Sequence, residues 1–228
     1  MKIIELKGVS RNYKIGQVKV TALNNIDLDI EKGEFVTIMG PSGSGKSTLL
    51  NVIGCLDRPT EGTYELSQKR VEKLSDSSLA DIRNQFIGFV FQRFHLMPSL
   101  DALGNVQMPL IYRGLFARER RRRALEALKM VGLDDRLHHT PSQMSGGEQQ
   151  RVAIARAIAM EPSVILADEP TGSLDSKSGA NIMSIFKKLN EEQGITIVQV
   201  THAEEMALYG QKVVRILDGE IERIDKVG

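Results

Sequence analysis

The stretch EFVTIMGPSGSGKSTLLNVI, residues 34–53, limits the possible folds more than any other part of the chain. A β-rich run enters a turn of pattern G-x-x-x-x-G-K-[ST], and that turn opens into a helical segment. Glycines let successive backbone N–H groups face one anion, while Lys46 adds a cation and the Ser47 hydroxyl can ligate Mg²⁺. We therefore predict an α/β fold that binds a nucleotide here. The loop residues expected to contact the nucleotide are Gly40, Pro41, Ser42, Gly43, Ser44, Gly45, Lys46, Ser47 and Thr48.

Three further apolar runs also end on polar residues. FIGFVFQ ends at Gln92, SVILADE ends at Asp168 and Glu169, and ITIVQVTH ends at His202. Unbroken apolar runs of this length fit strands covered on both faces, as in a parallel sheet with helical crossovers. Because ligands of open α/β sheets lie beyond the carboxyl ends of the strands, these side chains should converge on the glycine-rich loop.

The adjacent carboxylates of Asp168 and Glu169 suggest separate roles. A buried strand seldom delivers two carboxylates unless a cation or a proton transfer compensates them. We expect Asp168 to hold Mg²⁺ together with Ser47, and Glu169 to take the proton from an attacking water. Gln92 and His202 would be weak candidates alone, and the shared position of the strand ends strengthens both.

A second glycine motif, MSGGEQQ at residues 144–150, opens another helical segment. Free N–H groups and the helix dipole make such an N-terminus a plausible anion site, although it lacks the lysine of the first loop. The chain therefore contains two phosphate-type motifs, and only one of them can hold a nucleotide by itself.

Bulk composition excludes several classes of protein. The formal net charge of +1 gives no reason to expect nucleic acid binding. The single cysteine, Cys55, excludes an internal disulfide and a cysteine-cluster metal site, and its apolar surroundings predict a buried structural residue. No apolar run is long enough to span a bilayer, and the N-terminus is too short and polar for a signal peptide, so we expect a cytosolic protein.

GPSGSGKST, FVFQ, MSGGE, VILADEPTGSLD and VTH, in this order, resemble the ATP-binding-cassette (ABC) family over essentially the whole chain. Longer stretches are similar to the cassette subunits of macrolide exporters and lipoprotein-releasing complexes. The resemblance implies a RecA-like P-loop NTPase core with a parallel sheet, an N-terminal antiparallel β subdomain and an inserted α-helical subdomain. The single domain, 1–228, would then have its core and β subdomain at about 1–92 and 162–228, and its helical subdomain at about 93–161.

The resemblance also implies roles for individual residues, with ATP and Mg²⁺ as cofactors. Tyr13 would stack on adenine, Gln92 would sense Mg²⁺ and the membrane partner, and His202 would contact the γ phosphate. In a homodimer with two composite sites, the MSGGE motif of one subunit would close on the ATP of the other. The residues expected to act in trans are Ser145, Gly146, Gly147, Glu148 and Asp175.

The sequence departs from the usual family pattern at three places. Met144 and Glu148 replace the commonest leucine and glutamine of the second motif, and a carboxylate near a γ phosphate would be repulsive unless it faced away. A glycine expected near Gln68 is also missing, which weakens the prediction of a hairpin turn there.

The segment between Gln92 and Ser145 should carry the helical insertion. Apolar residues at 124, 125, 128 and 131 with Gly132 behind them predict an amphipathic helix that ends in a glycine cap. The arginine-rich run 118–123 fits a solvated helix face, with acidic lipid or a partner as the other interpretation. The apolar segment 94–100 is either subdomain core or part of a groove for a helix of a membrane subunit, and the family resemblance favours the groove.

These features predict hydrolysis of Mg-ATP that drives an integral membrane permease subunit. The chain would lie peripherally at the cytoplasmic face of the inner membrane, and a periplasmic adaptor could act through the permease. An alternative keeps the ATPase and drops transport, so that the cassette regulates a membrane protein controlling cell-wall hydrolases. A cassette acting on ribosomes or DNA would need tandem cassettes or a coiled coil, and the sequence contains neither.

Overall fold

The computed structural model describes residues 1–227. The strands are β1 (Lys2–Ile15), β2 (Val18–Glu31), β3 (Phe35–Met39), β4 (Glu61–Leu66), β5 (Lys69–Arg70), β6 (Ile87–Phe91), β7 (Val164–Asp168), β8 (Thr196–Val200), β9 (Lys212–Leu217) and β10 (Glu220–Lys226). The helices are α1 (Lys46–Ile53), α2 (Asp76–Phe86), α3 (Ala102–Tyr112), α4 (Ala117–Met130), α5 (Gly146–Ile158), α6 (Ser176–Gln193) and α7 (Glu204–Ala207), with a 3₁₀ turn at Pro141–Gln143.

The central sheet has six strands in the order β10-β9-β3-β8-β7-β6. Strand β3 runs parallel to β8 and β9, and β7 runs parallel to β6 and β8. All residues of β3 and β8 are buried, as expected for strands covered on both faces. This arrangement confirms the predicted parallel sheet and places the carboxyl ends of β3, β6, β7 and β8 at one edge.

The N-terminal part of the chain forms a separate antiparallel sheet in the order β2-β1-β4-β5. Its last hairpin turns through Ser67 and Gln68, which both have positive φ, 49° and 65°. Two consecutive residues with positive φ are typical of a type I′ hairpin turn, where glycine is usually preferred. The hairpin that the sequence left uncertain therefore forms without the expected glycine.

Helices α3, α4 and α5 pack together and lie within the insertion predicted at about 93–161. The amphipathic helix predicted from residues 124–131 is α4, and Gly132 follows it with φ 70°. The solvated-face interpretation of the arginine run is supported by ion pairs of Arg122 with Glu119 at 2.6 Å and with Glu126 at 2.8 Å. Part of the positive charge of α4 is thus paired with acidic side chains of the same helix.

Two large apolar clusters cover the faces of the central sheet. The first joins the antiparallel sheet to α1 and α2, and it contains Cys55, which is buried as predicted. The second joins the four helices α3, α4, α5 and α6 to the opposite face of the sheet. Within residues 1–227, no helix combines the length and the apolar composition that crossing a membrane requires.

Candidate nucleotide-binding site

A cavity of about 590 Å³ lies at the carboxyl edge of the central sheet. It brings the glycine-rich loop together with Glu169 and His202, which follow two other strands of the sheet. The convergence of three strand ends is the arrangement that the sequence predicted. The lining residues are Ala22, Gly40, Pro41, Ser42, Gly43, Gly45, Lys46, Ser47, Thr48, Glu169, Val200 and His202.

Helix α1 begins in this cavity without a side-chain cap. Its N-cap residue is Gly45, with φ 104°, and no side chain accepts a hydrogen bond from the first turn. A Cβ atom at Gly45 would lie 2.6 Å from the Ala22 carbonyl oxygen, so the close approach as well as the backbone conformation requires glycine. The free N–H groups of the first turn therefore face the cavity, where an anion can accept from them.

Lys46 stretches back over the loop that precedes its helix. Its Nζ donates to the carbonyl oxygens of Gly40 at 2.9 Å and Pro41 at 2.7 Å. Among the residues that the structure describes, Lys46 forms no ion pair with a carboxylate, although its side chain is largely buried. The ammonium group is thus positioned by neutral carbonyls, and its charge remains available to a phosphate.

Ser44 is the one member of the predicted loop that does not line the cavity. Its hydroxyl oxygen is buried and has no hydrogen-bond partner within the described chain. The Ser44 carbonyl accepts from the backbone N–H of Gly219, so this residue fastens the loop to the turn between β9 and β10.

Glu169 and His202 form a hydrogen-bonded pair, with His202 Nδ1 2.8 Å from Glu169 Oε1. Glu169 has φ 49°, a left-handed conformation that is uncommon for a residue other than glycine and that clusters at functional sites. Its backbone N–H donates to the Val200 carbonyl at 3.0 Å, which fixes this turn against β8. Sequence reasoning found both residues but missed their contact, because no local pattern reports a pairing across 33 positions.

Asp168 occupies the last position of β7, beside Glu169. Burial raises the pKa of the Asp168 carboxyl, the neighbouring Glu169 charge raises it further, and Lys46 opposes both effects. Within residues 1–227 no group of three or more histidine, cysteine or acidic side chains could hold a metal alone. The half-buried Asp168 carboxylate, which does not itself line the cavity, and the Ser47 hydroxyl at the cavity wall instead fit a hard cation that takes its other ligands from phosphate and water.

Gln92 follows β6 and is exposed, but it does not line the cavity. Its carbonyl accepts from the Ser173 hydroxyl at 3.1 Å. Its side chain lies against Gly172, where an added Cβ atom would approach Gln92 Nε2 to 2.9 Å. Gln92 is therefore joined to the segment that follows Glu169, and it borders the cavity through that segment.

Tyr13 also lies outside the cavity lining. Its hydroxyl donates to Asp57 Oδ2 at 2.6 Å, and the Arg11 guanidinium lies 4.6 Å from the centre of its ring. The proposed stacking on adenine would have to use the ring face that Arg11 leaves open.

The second glycine motif begins α5 with a complete capping box. The Ser145 hydroxyl accepts from the Glu148 backbone N–H, and Glu148 Oε2 accepts from the Ser145 N–H and hydroxyl, both at 2.8 Å. Glu148 Oε1 lies 3.4 Å from Arg136 Nε. Hydrogen bonds from Ser145, first from its backbone and then from its hydroxyl, lower the pKa of Glu148, with Arg136 adding to the effect. The Glu148 carboxylate, whose role the sequence left unexplained, thus caps the start of its own helix.

The glycines of this motif pack against the segment that leads into α6. An added Cβ atom would lie 3.3 Å from Leu174 at Gly146 and 3.2 Å from Ser178 at Gly147. Asp175 caps α6 by accepting from the Ser178 N–H at 3.0 Å, and hydrogen bonds from Ser178 lower the pKa of its carboxyl. None of these residues lines the cavity of the same chain, so the two phosphate-type helix starts lie apart.

Comparison with known families gives a match of residues 23–172 to the model described as ABC transporter. The chain belongs to this family. It is 56% identical to an uncharacterized ABC transporter ATP-binding protein, MJ0796, of Methanocaldococcus jannaschii, over 99% of this chain and 97% of that one. It is 52% identical to a macrolide export ATP-binding/permease protein, MacB 1/2, of Paracoccus denitrificans, over 96% of this chain and 33% of that longer protein.

Solved structures of the Methanocaldococcus protein have the same fold. A dimeric post-hydrolysis state of that cassette, bound to ADP and Pi, superposes with a TM-score of 0.91 over 99% of both chains at 52% identity. A second dimeric structure of it gives the same TM-score at 53% identity. The family and the fold expected from the sequence motifs are confirmed, and the chain is an ATPase of the ABC transporter family.

Proposed function

We propose that this chain hydrolyses ATP as a homodimer with two composite sites and thereby drives an integral membrane partner. The observation that carries the proposal is the separation of the two helix starts. One lines the cavity with its lysine, whereas the other presents an exposed Ser145 outside it. In a two-fold dimer the second motif of each subunit would close on the phosphates held by its partner. The structure of the Methanocaldococcus cassette is dimeric, which supports this arrangement.

Hydrolysis would use groups that line the cavity together with Asp168 and Gln92, which lie outside its lining. The backbone N–H groups of the loop and Lys46 would hold the phosphates, and Glu169 would accept the proton of the attacking water. His202, held 2.8 Å from Glu169, would orient that carboxylate and contact the γ phosphate. Ser47 and Asp168 would hold Mg²⁺, which neutralises charge on the phosphates when it is bound. Gln92, whose side chain lies against the segment after Glu169, would be a further ligand of Mg²⁺.

The trans contacts would come from Ser145, Gly146 and Gly147, with Asp175 nearby. Free N–H groups at the start of α5 suit a γ phosphate, and the capping box holds that helix start in place before any ligand arrives. Glu148 would act by fixing this geometry, because both of its oxygens have partners inside the chain.

The membrane partner would dock in an apolar groove of about 550 Å³ between the core and the helical insertion. The groove is lined by α2, β6, α3 and the end of α5, and Tyr112 at its rim is 78% exposed. Large exposed apolar surface of this kind marks interaction sites. The apolar segment 94–100, suggested by the sequence as a groove wall, does not line it, because Asn105 binds the backbone of Met97 and holds the segment on the insertion.

Similarity to macrolide export proteins supports export as the process that the permease carries out, with the chain peripheral to the cytoplasmic face of the membrane. Co-purification of the tagged chain from membranes, followed by identification of the retained integral protein, tests this part of the proposal. Recovery of a permease supports it. Recovery of a partner that controls cell-wall hydrolases would replace it with the regulatory alternative.

The decisive test of the composite site is Glu169→Gln. Loss of the general base should lower hydrolysis about 10²- to 10⁴-fold while ATP binding persists, so an ATP-bound dimer should accumulate. Size-exclusion chromatography with light scattering and phosphate release measure the two effects. Glu192→Gln, an exposed change on α6, is the matched control. A Glu169→Gln protein that binds Mg-ATP and stays monomeric would contradict the composite site.

A further inference from the structure

The groove between the core and the helical insertion contains two cations and no anion. Arg83 and Arg156 both line it, and none of its lining residues is acidic. Within residues 1–227 neither arginine forms an ion pair with a carboxylate. An apolar groove with unpaired guanidinium groups is complementary to an apolar segment that carries an acidic side chain.

Arg156 connects this groove to the segment that follows Gln92. Its two terminal nitrogens donate to the carbonyl oxygens of His95 at 2.6 Å and Phe94 at 3.0 Å. Burial lowers the pKa of Arg156, because the guanidinium is partly removed from water. His95 has φ 49°, and its ring meets the groove residue Phe91 edge-on at 5.2 Å. Arg156 is therefore one of the side chains that hold the backbone just beyond Gln92, where His95 has an uncommon conformation.

Arg83 is placed differently in the same groove. Its guanidinium donates to the carbonyl of Cys55 at 2.8 Å, at the turn that follows α1. Among residues 1–227 it forms no hydrogen bond to the Gln92 segment, so the two arginines are a matched pair in which only Arg156 binds that segment.

We propose that Arg156 is a positioning residue that senses an acidic side chain on the docked helix. This inference rests on the proposed docking of a membrane partner. A carboxylate that enters the groove binds the guanidinium and withdraws it from the carbonyls of Phe94 and His95. The segment after Gln92 is then released, and groove occupancy is passed to the catalytic cavity.

The exchange of partners has a physical basis. A guanidinium–carboxylate pair is charge-assisted on both sides and often bidentate, whereas the backbone carbonyls are neutral acceptors. A docked helix would cover the apolar walls of the groove, including Phe89 and Phe91, and the exclusion of water would strengthen the pair. Since α5 carries Arg156 on the same helix that starts at Ser145, the sensor is also rigidly linked to the trans motif.

Two short synthetic amphipathic helices that differ only in Glu or Gln at the centre of the apolar face test the proposal. Binding of each peptide to the full chain is measured by calorimetry, and amide hydrogen exchange is followed at residues 93–96. The Glu peptide should bind about tenfold more tightly than the Gln peptide, and only the Glu peptide should accelerate exchange in this segment. Arg156→Gln should lose the preference for the Glu peptide, and its residues 93–96 should exchange rapidly without peptide. Arg83→Gln should retain the preference for the Glu peptide, and exchange at residues 93–96 should stay slow without peptide.

Equal affinities for the two peptides, a Glu preference that survives Arg156→Gln, or no binding of either peptide would overturn the proposal. If Arg156→Gln does not fold, Arg156→Lys keeps the charge with fewer donors and should keep a reduced preference for Glu; equal binding of both peptides to it counts against the proposal. The proposed function stands or falls separately, because ATP-driven dimerisation of Glu169→Gln and co-purification of a membrane protein do not depend on either peptide.

Discussion

The starts of α1 and α5 are both glycine-containing helix N-termini, but they differ in how their backbone N–H groups are satisfied. Helix α1 follows Gly45 and has no side-chain cap, so its N–H groups are left for a ligand. Helix α5 follows Ser145 and has a capping box closed by Glu148, so part of its hydrogen-bonding need is met inside the chain. The first start lines the cavity and the second does not.

Under the proposed function, this difference gives the two phosphate-type motifs of one chain different roles. An uncapped N-terminus beside a lysine gains most of its partners from the nucleotide, which makes it a primary site. A capped N-terminus is ordered without ligand and can serve as a preformed lid for a neighbouring subunit. Changes at the two helix starts should therefore separate binding of ATP from closure of the dimer.

The largest effect is expected for Lys46→Ala. Loss of a charge-assisted contact to the phosphates should weaken ATP binding about 10- to 100-fold in the monomer and abolish hydrolysis. Titration with a fluorescent ATP analogue measures the affinity. Lys187→Ala, at an exposed pair on α6, provides the control and should change nothing. Wild-type affinity in Lys46→Ala would mean that the α1 start is not the primary site.

Ser145→Ala should have the reverse profile. Loss of the cap destabilises the fold by about 1 kcal/mol, monomer ATP affinity stays unchanged, and the ATP-dependent dimer and its hydrolysis are lost. Ser75→Ala removes a comparable cap from α2, where Ser75 accepts from the Ser78 N–H at 3.2 Å, outside the site. Equal loss of dimer in both variants would show that the effect is one of stability alone.

The smallest effects concern Glu148. Glu148→Ala should lower the free energy of unfolding by about 1 kcal/mol. Glutamine can still close the box, so Glu148→Gln should lose less stability and leave the dimer intact. Chemical denaturation and light scattering measure both quantities. A dimer that fails in Glu148→Gln would assign the carboxylate a direct trans contact.

The same comparison predicts a pH dependence. The folded-state pKa of Glu148 lies below its ordinary value of 4.5, so the ionised carboxylate stabilises the native state above that pH. The advantage of wild type over Glu148→Gln should be complete near neutral pH and should disappear as pH falls through the folded-state pKa. Unfolding curves measured from neutral to acidic pH test this, and a difference that grows on acidification would contradict it.

The sequence predicted where the glycine-rich loop, Glu169 and His202 lie, because their positions follow from local patterns, whereas Gln92 and Asp168 do not line the cavity that they were expected to share. Lys46 is fixed by its spacing from the glycines, and Glu169 and His202 follow apolar runs that could only be buried strands. The hairpin at Gln68 was harder to predict, since packing of the antiparallel sheet overrides the poor turn propensity of two non-glycine residues. Tyr13 keeps its predicted role as a proposal, with Asp57 and Arg11 as partners that no local pattern could reveal.

By itself the sequence determined which residues are the candidates for phosphate chemistry, because a glycine turn between a strand and a helix is a short-range feature of the backbone. Tertiary structure alone decided which distant residues meet. The pairing of Glu169 with His202 and the reach of Arg156 to the Gln92 segment depend on side-chain directions set by the packing of distant elements. The closure of Glu148 on Ser145 is different, because it is a local capping box between residues three positions apart.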